Sequence, residues 1–505
     1  MGQIGSQGRN HRPTFNEVIC PTTFSGLLII KIPRICLHKS VCRELGSDSQ
    51  NKKIQNKIMN EENFASYVPG TFTIKADKIH FDYEAPDGRN GLIRPSDLPA
   101  FIHEWTHYIQ EVGTMSAQIG IYLWMRDVAI LSKQTCATVG GVVSVPLNDG
   151  DFNIHYWENE KIYEEYTRVL KSYSLTALEI DGDGEIRPFR YKERTFSNWV
   201  LKVDKQEVEI NIVAIQEMNA FYAQRIKEAS LPIVDFVANT AGLPLFPYQL
   251  GDALFRAFEI ECDDRCKFLI TFSCLDTLQP AATLRETLKM LRGKSLVYGT
   301  DNDLIDRTIC EAEKIHCHSK LEACTEFLQD YSNWIADSGR KEFVNSIKWY
   351  LQKCYASVMC ISKIGIGGIG RMLIDGSESE NLLLRCFPPP IISVDDMLYG
   401  TKSMFSATEG EDYDDDHFNA LVIWSLKKLM KILTCEERSK INELACCPLY
   451  KHCIYKEKVG KEIDCKYAPW EVLQGEKICK CPFGIALSSM GLWQNRLEID
   501  ASKLR

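Results

Sequence analysis

The sequence predicts a mixed α+β fold, and three observations carry that expectation. Short segments alternate apolar and polar residues, at 71–85 and 139–149. Longer stretches repeat their apolar residues at helical spacing, at 94–114 and over much of 205–375. The last 60 or so residues are dense in cysteine, which sets off a small C-terminal segment. At 505 residues, with 45% hydrophobic and 25% charged composition, the chain has the balance of an ordinary globular protein. Its length suggests more than one domain.

The formal charge of −9 argues against a nucleic-acid backbone as main partner. No apolar run approaches the ~18 residues of a membrane span. The twenty cysteines are scattered and no secretory signal precedes them, which points to a reducing, cytoplasmic compartment. Residues 1–58 carry nine Lys/Arg against three acidic residues, a net +6 that leaves the rest of the chain at −15. This stretch lacks periodicity and ends just before MNEENFASYVPG, so it reads as a disordered leader or an over-extended start. MGQIGS fits a myristoylation pattern, a short and common one that anchors only weakly.

In chain order, TFTIKADKIHFDYEA (71–85) predicts a β-hairpin around ADK. RPSDLPAFIHEWTHYIQEVGT (94–114) predicts a helix, with Ser96 or Asp97 as cap, Pro99 in the first turn and Gly113 at the end. VGGVVSVPLND (139–149) reads as a strand and 157–172 as a helix. EIDGDGEI (179–186) reads as a turn, with DGDG as the tight part of a hairpin. A long helix is expected from about 205 to 230, mostly helical structure from 240 to 375, a break at FPPPIIS (387–393), an acidic loop at 409–418 and a helix at 420–433.

The chemistry concentrates in FIHEWTHYIQ (101–110). Residues i and i+4 stand one above the other on a helix, so His103 and His107 can meet one Zn²⁺. They lie almost opposite the apolar stripe of Leu98, Phe101, Ile102, Trp105, Tyr108, Ile109 and Val112. Glu104 is turned about 100° from His103, beside such a metal and within reach of a water on it. Zinc lowers the pKa of that water toward ~7, and the carboxylate takes its proton. Glu111 is too far along the axis to share the ion. INIVAIQEMNAFYA (210–223) offers the best candidate for the third ligand. It is apolar on most faces and holds one charged residue, Glu217, which is costly when buried unless paired or bound to a metal. An ion pair with Arg225 is the bland alternative, and Glu164 and Glu165 are fallback ligands.

HEWTH followed by a helical glutamate resembles the gluzincin type of zincin metallopeptidase. Glu217, Ala220 and Tyr222 match the spacing of the second motif of several such families. The resemblance implies a zincin-like domain over 59–310, with an insert at about 150–200, zinc on His103, His107 and Glu217, and Glu104 as general base. A mostly helical region, 311–440, and a Cys-rich segment, 441–505, complete the chain. The expected activity is hydrolysis of a peptide or protein substrate. Two departures stand out. His107 and Glu217 are separated by 109 residues, a long gap, and Phe221 occupies the place where an aspartate often supports a ligand histidine. Tyr248, His155 and Tyr222 compete as oxyanion donor. Two other functions remain open: a zincin-fold binding protein without catalysis, and a scaffold acting through its C-terminal half.

Two further patterns are weaker. KIGIGGIGRM contains Gly365, Gly367 and Gly370 at dinucleotide-loop spacing, but the next residues, interrupted by Gly376, make a poor helix. In the Cys-rich segment, Cys447, Cys453, Cys465 and Cys481, or Cys479 in its place, are candidates for a second, structural metal.

Overall fold

A computed structural model describes residues 66–68, 73–75, 81–82, 92–93, 97–114, 128, 142–145, 165–170, 172–173, 175, 177–191, 194–229, 245–316, 374, 391–394, 397–400, 414–434, 447, 450, 481–490, 492 and 496–499. Helix and sheet are mixed throughout this set.

Four short strands open it: β1 (Ser66–Val68), β2 (Thr73–Lys75), β3 (Phe81–Asp82) and β4 (Leu92–Ile93). Among the described residues, the strands on either side of ADK do not pair with each other as expected. β2 pairs antiparallel with β1, and β3 pairs with β4. Alternation marks which residues face one side of a strand, not which strand they will pair with. The other partner of β2 is remote: it runs parallel to β9 (Ile391–Val394), which in turn pairs with β10 (Met397–Gly400). β5 (Val142–Val145) falls inside the strand expected at 139–149 and runs parallel to β11 (Arg496–Ile499). Strands from beyond residue 310 therefore enter sheets with strands of 59–310.

α1 (Leu98–Gly113) matches the expected helix, with Pro99 in its first turn. Asp97 takes the N-cap position, but its side chain makes no capping bond. Trp105, Tyr108, Ile109 and Val112 are fully buried. Trp105 is the largest of them, so Trp105→Ala is expected to cost about 3–5 kcal/mol in denaturant unfolding.

β6 (Ile180–Tyr191), β7 (Arg194–Val203) and β8 (Gln206–Ile210) form an antiparallel meander. Two expectations change here. DGDG lies inside β6, where the register shifts between Asp181 and Glu185, and the hairpin closes later, after Tyr191. Gly182 and Gly184 have φ of +71° and +61°, which suits a bulge. A Cβ on Gly184 would stand 2.3 Å from the Val200 carbonyl oxygen, so that position has no room for a side chain. The helix expected from about 205 starts only at 212, because QEVEI alternates and pairs along β7.

Asn211 then caps α2 (Ile212–Ala229), its Oδ1 accepting the Ala214 N–H at 3.0 Å. Such a cap is worth about 1 kcal/mol. A kinked turn (Leu245–Gln249), extended at Phe246, leads into α3 (Leu250–Ala257), α4 (Asp264–Leu275), α5 (Pro280–Met290) and α6 (Asn302–His316), so the part of 240–375 that is described is mostly helical as expected, while 317–373 lies outside the described residues. α7 (Asp414–Thr434) begins inside the stretch expected to be an acidic loop. α8 (Pro482–Ser489) packs on α7. No helix among the described residues is long and apolar enough to cross a membrane.

The core is shared by α1, α2, α4, α5, α7, α8 and the inner face of the meander. α2 lies at its centre, packed against α1 on one side and α4 on another. Beside it, Arg225 of α2 bonds Asp252 of α3 and Asp264 of α4. Lys267 of α4 bonds the same two aspartates, Asp252 at 2.7 Å. These four balanced charges join three helices.

Candidate metal centre

α1 buries both faces. Its apolar stripe enters the core, and the face with the two histidines is covered by α2, which leaves His103 only 7% exposed. This packing brings Glu217 to the histidines. His103 Nε2 lies 3.5 Å from one Glu217 carboxylate oxygen, and His107 Nε2 lies 3.6 Å from the other. All three ligand atoms fall within 4.8 Å of one another, and the trio could hold a metal ion. Two ligand atoms ~2.0–2.1 Å from a tetrahedral ion stand roughly 3.3 Å apart. The observed separations fit that figure. Side-chain exposure rises from 9% for His103 and 14% for His107 to 26% for Glu217, so the cluster opens to solvent on the carboxylate side.

Burial works against charge on Glu217, but the two histidines outweigh it and hold the carboxyl well below the usual carboxylate range. Burial also opposes an imidazolium at His107. The Glu217 carboxylate more than compensates, with smaller help from Glu104 and Gln110, and pushes His107 up to about 9. Without metal, His107 and Glu217 thus form a partly buried ion pair.

Glu104 is half-buried, and its charge acts on both His107 and Tyr248. Tyr248, in the turn Leu245–Gln249, has its ring 5.9 Å from that of His103, and the Glu217 carboxylate lies close enough to act on its hydroxyl. Burial and these carboxylates raise its pKa, so the phenol keeps its proton. Phe221 packs edge-on against Tyr248, with ring centroids 5.7 Å apart.

The rival assignments separate clearly. Tyr222 points away from the centre. A Cβ on Gly251 would stand 2.2 Å from its hydroxyl, and the side chains of Arg225, Lys267 and Phe255 surround it. Arg225 is committed to Asp252 and Asp264 rather than to Glu217. Glu165 pairs with Arg168 on the surface. Glu111 accepts from the Tyr67 hydroxyl at 2.5 Å and lies 3.7 Å from Lys427, so it serves contacts between α1, β1 and α7. His155 and Glu164 fall outside the described residues, as do Gly365, Gly367 and Gly370.

The second metal also rests partly outside them, at Cys453, Cys465 and Cys479. Cys447 and Cys481 are buried thiols, and the Cys481 sulfur accepts the Gly484 N–H at the start of α8. No four-cysteine cluster is seen among the described residues.

Three contributors to the centre escape a reading by motif. Tyr67 stacks on His107, with ring centroids 6.5 Å apart. Gln110 approaches His107 Nδ1 at 3.0 Å and bonds Asn219, and both amides are fully buried. The one signal in the sequence is an uncharged polar residue, Asn219, inside the apolar stretch that carries Glu217. No family model, curated protein or solved structure matches this chain, so the centre is read from its own geometry.

Proposed function

We propose that the chain is a zinc-dependent hydrolase, and that its substrate is a peptide bond in a peptide or protein. The observation that carries this reading is the Glu217 carboxylate placed between the Nε2 atoms of His103 and His107, at 3.5 and 3.6 Å, on a cluster open to solvent. Two imidazoles and one carboxylate suit zinc, and three protein ligands leave a position for chemistry. Bound zinc supplies Lewis acidity: it polarises a carbonyl and makes water acidic near neutral pH.

The remaining work falls to the chain's own residues. Glu104, beside the ligands but not among them, accepts a proton from the attacking water. As the water oxygen bonds to the carbonyl carbon and the C–N bond breaks, Glu104 returns that proton to the leaving nitrogen. Tyr248, protonated and adjacent to Glu217 and His103, is placed to donate to the oxygen that gains charge. Phe221, packed edge-on against it, helps keep the tyrosine ring in place.

The test uses the purified full chain. Metal content by atomic emission should give about one zinc per chain beyond any held by cysteine, and His103→Ala with His107→Ala should remove it. Cleavage of a mixed peptide library, followed by mass spectrometry, should stop with a chelator and return with zinc. Absence of metal in the folded parent would end this reading. One observation favours a second function. His103 Nδ1 is buried without a hydrogen-bond partner, so this ligand lacks the outer support usual for zinc histidines. Zinc bound without any cleavage would point to a binding protein on the same scaffold.

A further inference from the structure

The two histidines of the centre are supported unequally, and the supported one is held through a chain of buried amides. His107 Nδ1 faces Gln110 Oε1 at 3.0 Å. The Gln110 amide nitrogen donates to the Gln216 backbone carbonyl at 3.0 Å and to Asn219 Oδ1 at 2.9 Å. The Asn219 amide nitrogen donates to the Phe268 backbone carbonyl at 3.0 Å and to Thr271 Oγ1 at 2.9 Å. Thr271 in turn donates to the Lys267 carbonyl at 2.8 Å. The chain crosses from α1 through α2 to α4.

Its polarity is set by its two fixed ends. Backbone carbonyls only accept, so the Phe268 carbonyl requires the NH₂ of Asn219 on its side, and this turns Asn219 Oδ1 toward Gln110. The Gln216 carbonyl and Asn219 Oδ1 together require the NH₂ of Gln110, and this turns Gln110 Oε1 toward His107. An amide oxygen also only accepts, so His107 must carry its proton on Nδ1. In the neutral ring, Nε2 is then left as a lone pair, and Nε2 is the atom that faces Glu217. Flipping either amide would place two acceptors, or two donors, in contact within a region closed to water, where an unmet polar group costs about 1–3 kcal/mol.

We propose that Gln110 is a positioning residue which fixes His107 as the Nδ1–H tautomer for metal binding, and that Asn219 fixes the orientation of Gln110. This rests on the metal reading of the centre. It assigns the two buried amides a role beyond packing. It also accounts for how His107 is held in a chain where Phe221 occupies the expected aspartate position. Nothing equivalent reaches His103 Nδ1.

The test is a zinc competition titration with a chromophoric chelator, alongside thermal unfolding, on the full chain. Gln110→Met removes the acceptor but keeps the shape. It should weaken zinc binding by about 10- to 100-fold, the usual effect of losing an outer hydrogen-bond partner. Gln110→Glu keeps an oxygen acceptor for His107 but cannot donate to Gln216 or Asn219. It should lower thermal stability as well, yet bind zinc at least as tightly as the parent. Asn219→Leu should weaken zinc in the parent background and add nothing in the Gln110→Met background, since both substitutions act through one contact.

A purely structural role predicts a different pattern, with zinc affinity tracking thermal stability in both Gln110 variants. That pattern overturns the relay, as does unchanged affinity in Gln110→Met. A folded parent that binds no zinc overturns the metal reading itself, and the two failures are thereby told apart.

Discussion

Glu104→Gln is expected to reduce peptide hydrolysis by about 10²- to 10⁴-fold, the range for loss of a positioned general base, and to leave zinc content unchanged. The substitution conserves volume and hydrogen-bonding reach. It removes only the ability to take a proton. Glu104 is half-buried and stands outside the three-residue cluster, so its loss should not loosen a bound ion. Its charge contributes to the raised proton affinity of His107, and neutralising it makes that proton easier to displace. Zinc binding in the variant should therefore equal or slightly exceed that of the parent. Steady-state cleavage of a peptide found in the library screen, together with metal analysis, checks both halves. Full activity in the variant would remove Glu104 from the chemistry. Loss of zinc would make it a ligand, and the geometry would have to be reassigned.

That prediction draws on a part of the site which is legible in the sequence. The spacing of HEWTH places two imidazoles on one helix face whatever the surrounding fold, because helical geometry is local. Glu217 is legible for a different reason: the single charged residue in the mostly apolar stretch 210–223 has few stable options other than a cation or a metal. The relay is not legible. In isolation Gln110 reads as one more polar residue on the polar side of an amphipathic helix. Only the arrival of α2 on that side buries it.

The same division runs through the fold. A helix with a clean period, such as α1, falls close to where the pattern places it, whereas α2 ends where expected but starts late. Strands are recognisable from alternation, but their partners are not. β2 pairs with β9 more than 300 residues away, and no local signal encodes that pairing. QEVEI reads as part of the next helix because five residues are too few for alternation to stand out against an adjoining helical period. DGDG misleads through its chemistry. Glycines that tolerate positive φ suit a tight turn and a bulge equally well, and the pairing along β7 decides between them.

Glu217→Gln tests the centre itself and carries the other large expected effect. A neutral amide in place of the carboxylate should weaken zinc by more than about 100-fold, beyond the effect of losing an outer partner. It should also change how the protein responds to pH. In the parent without metal, His107 titrates at about 9, above its ordinary 6.5. A histidine with a raised folded-state pKa stabilises the protein fully below about 6.5, and this contribution is lost as pH rises through 9. Glu217 acts in the opposite direction. Its lowered pKa stabilises the fold above the usual 4.5, and that contribution fades as pH falls below it. Thermal unfolding of the chelated parent should therefore show a decline between pH 6.5 and 9 that the variant lacks, because burial alone keeps its His107 neutral. Zinc reverses the logic. It binds the neutral imidazole, so below pH 9 each ion must displace the His107 proton, and apparent affinity should climb about tenfold per pH unit. A flat affinity across that range would mean that His107 is not the group zinc competes for. The Nε2 contact with Glu217 would then be an ion pair and nothing more.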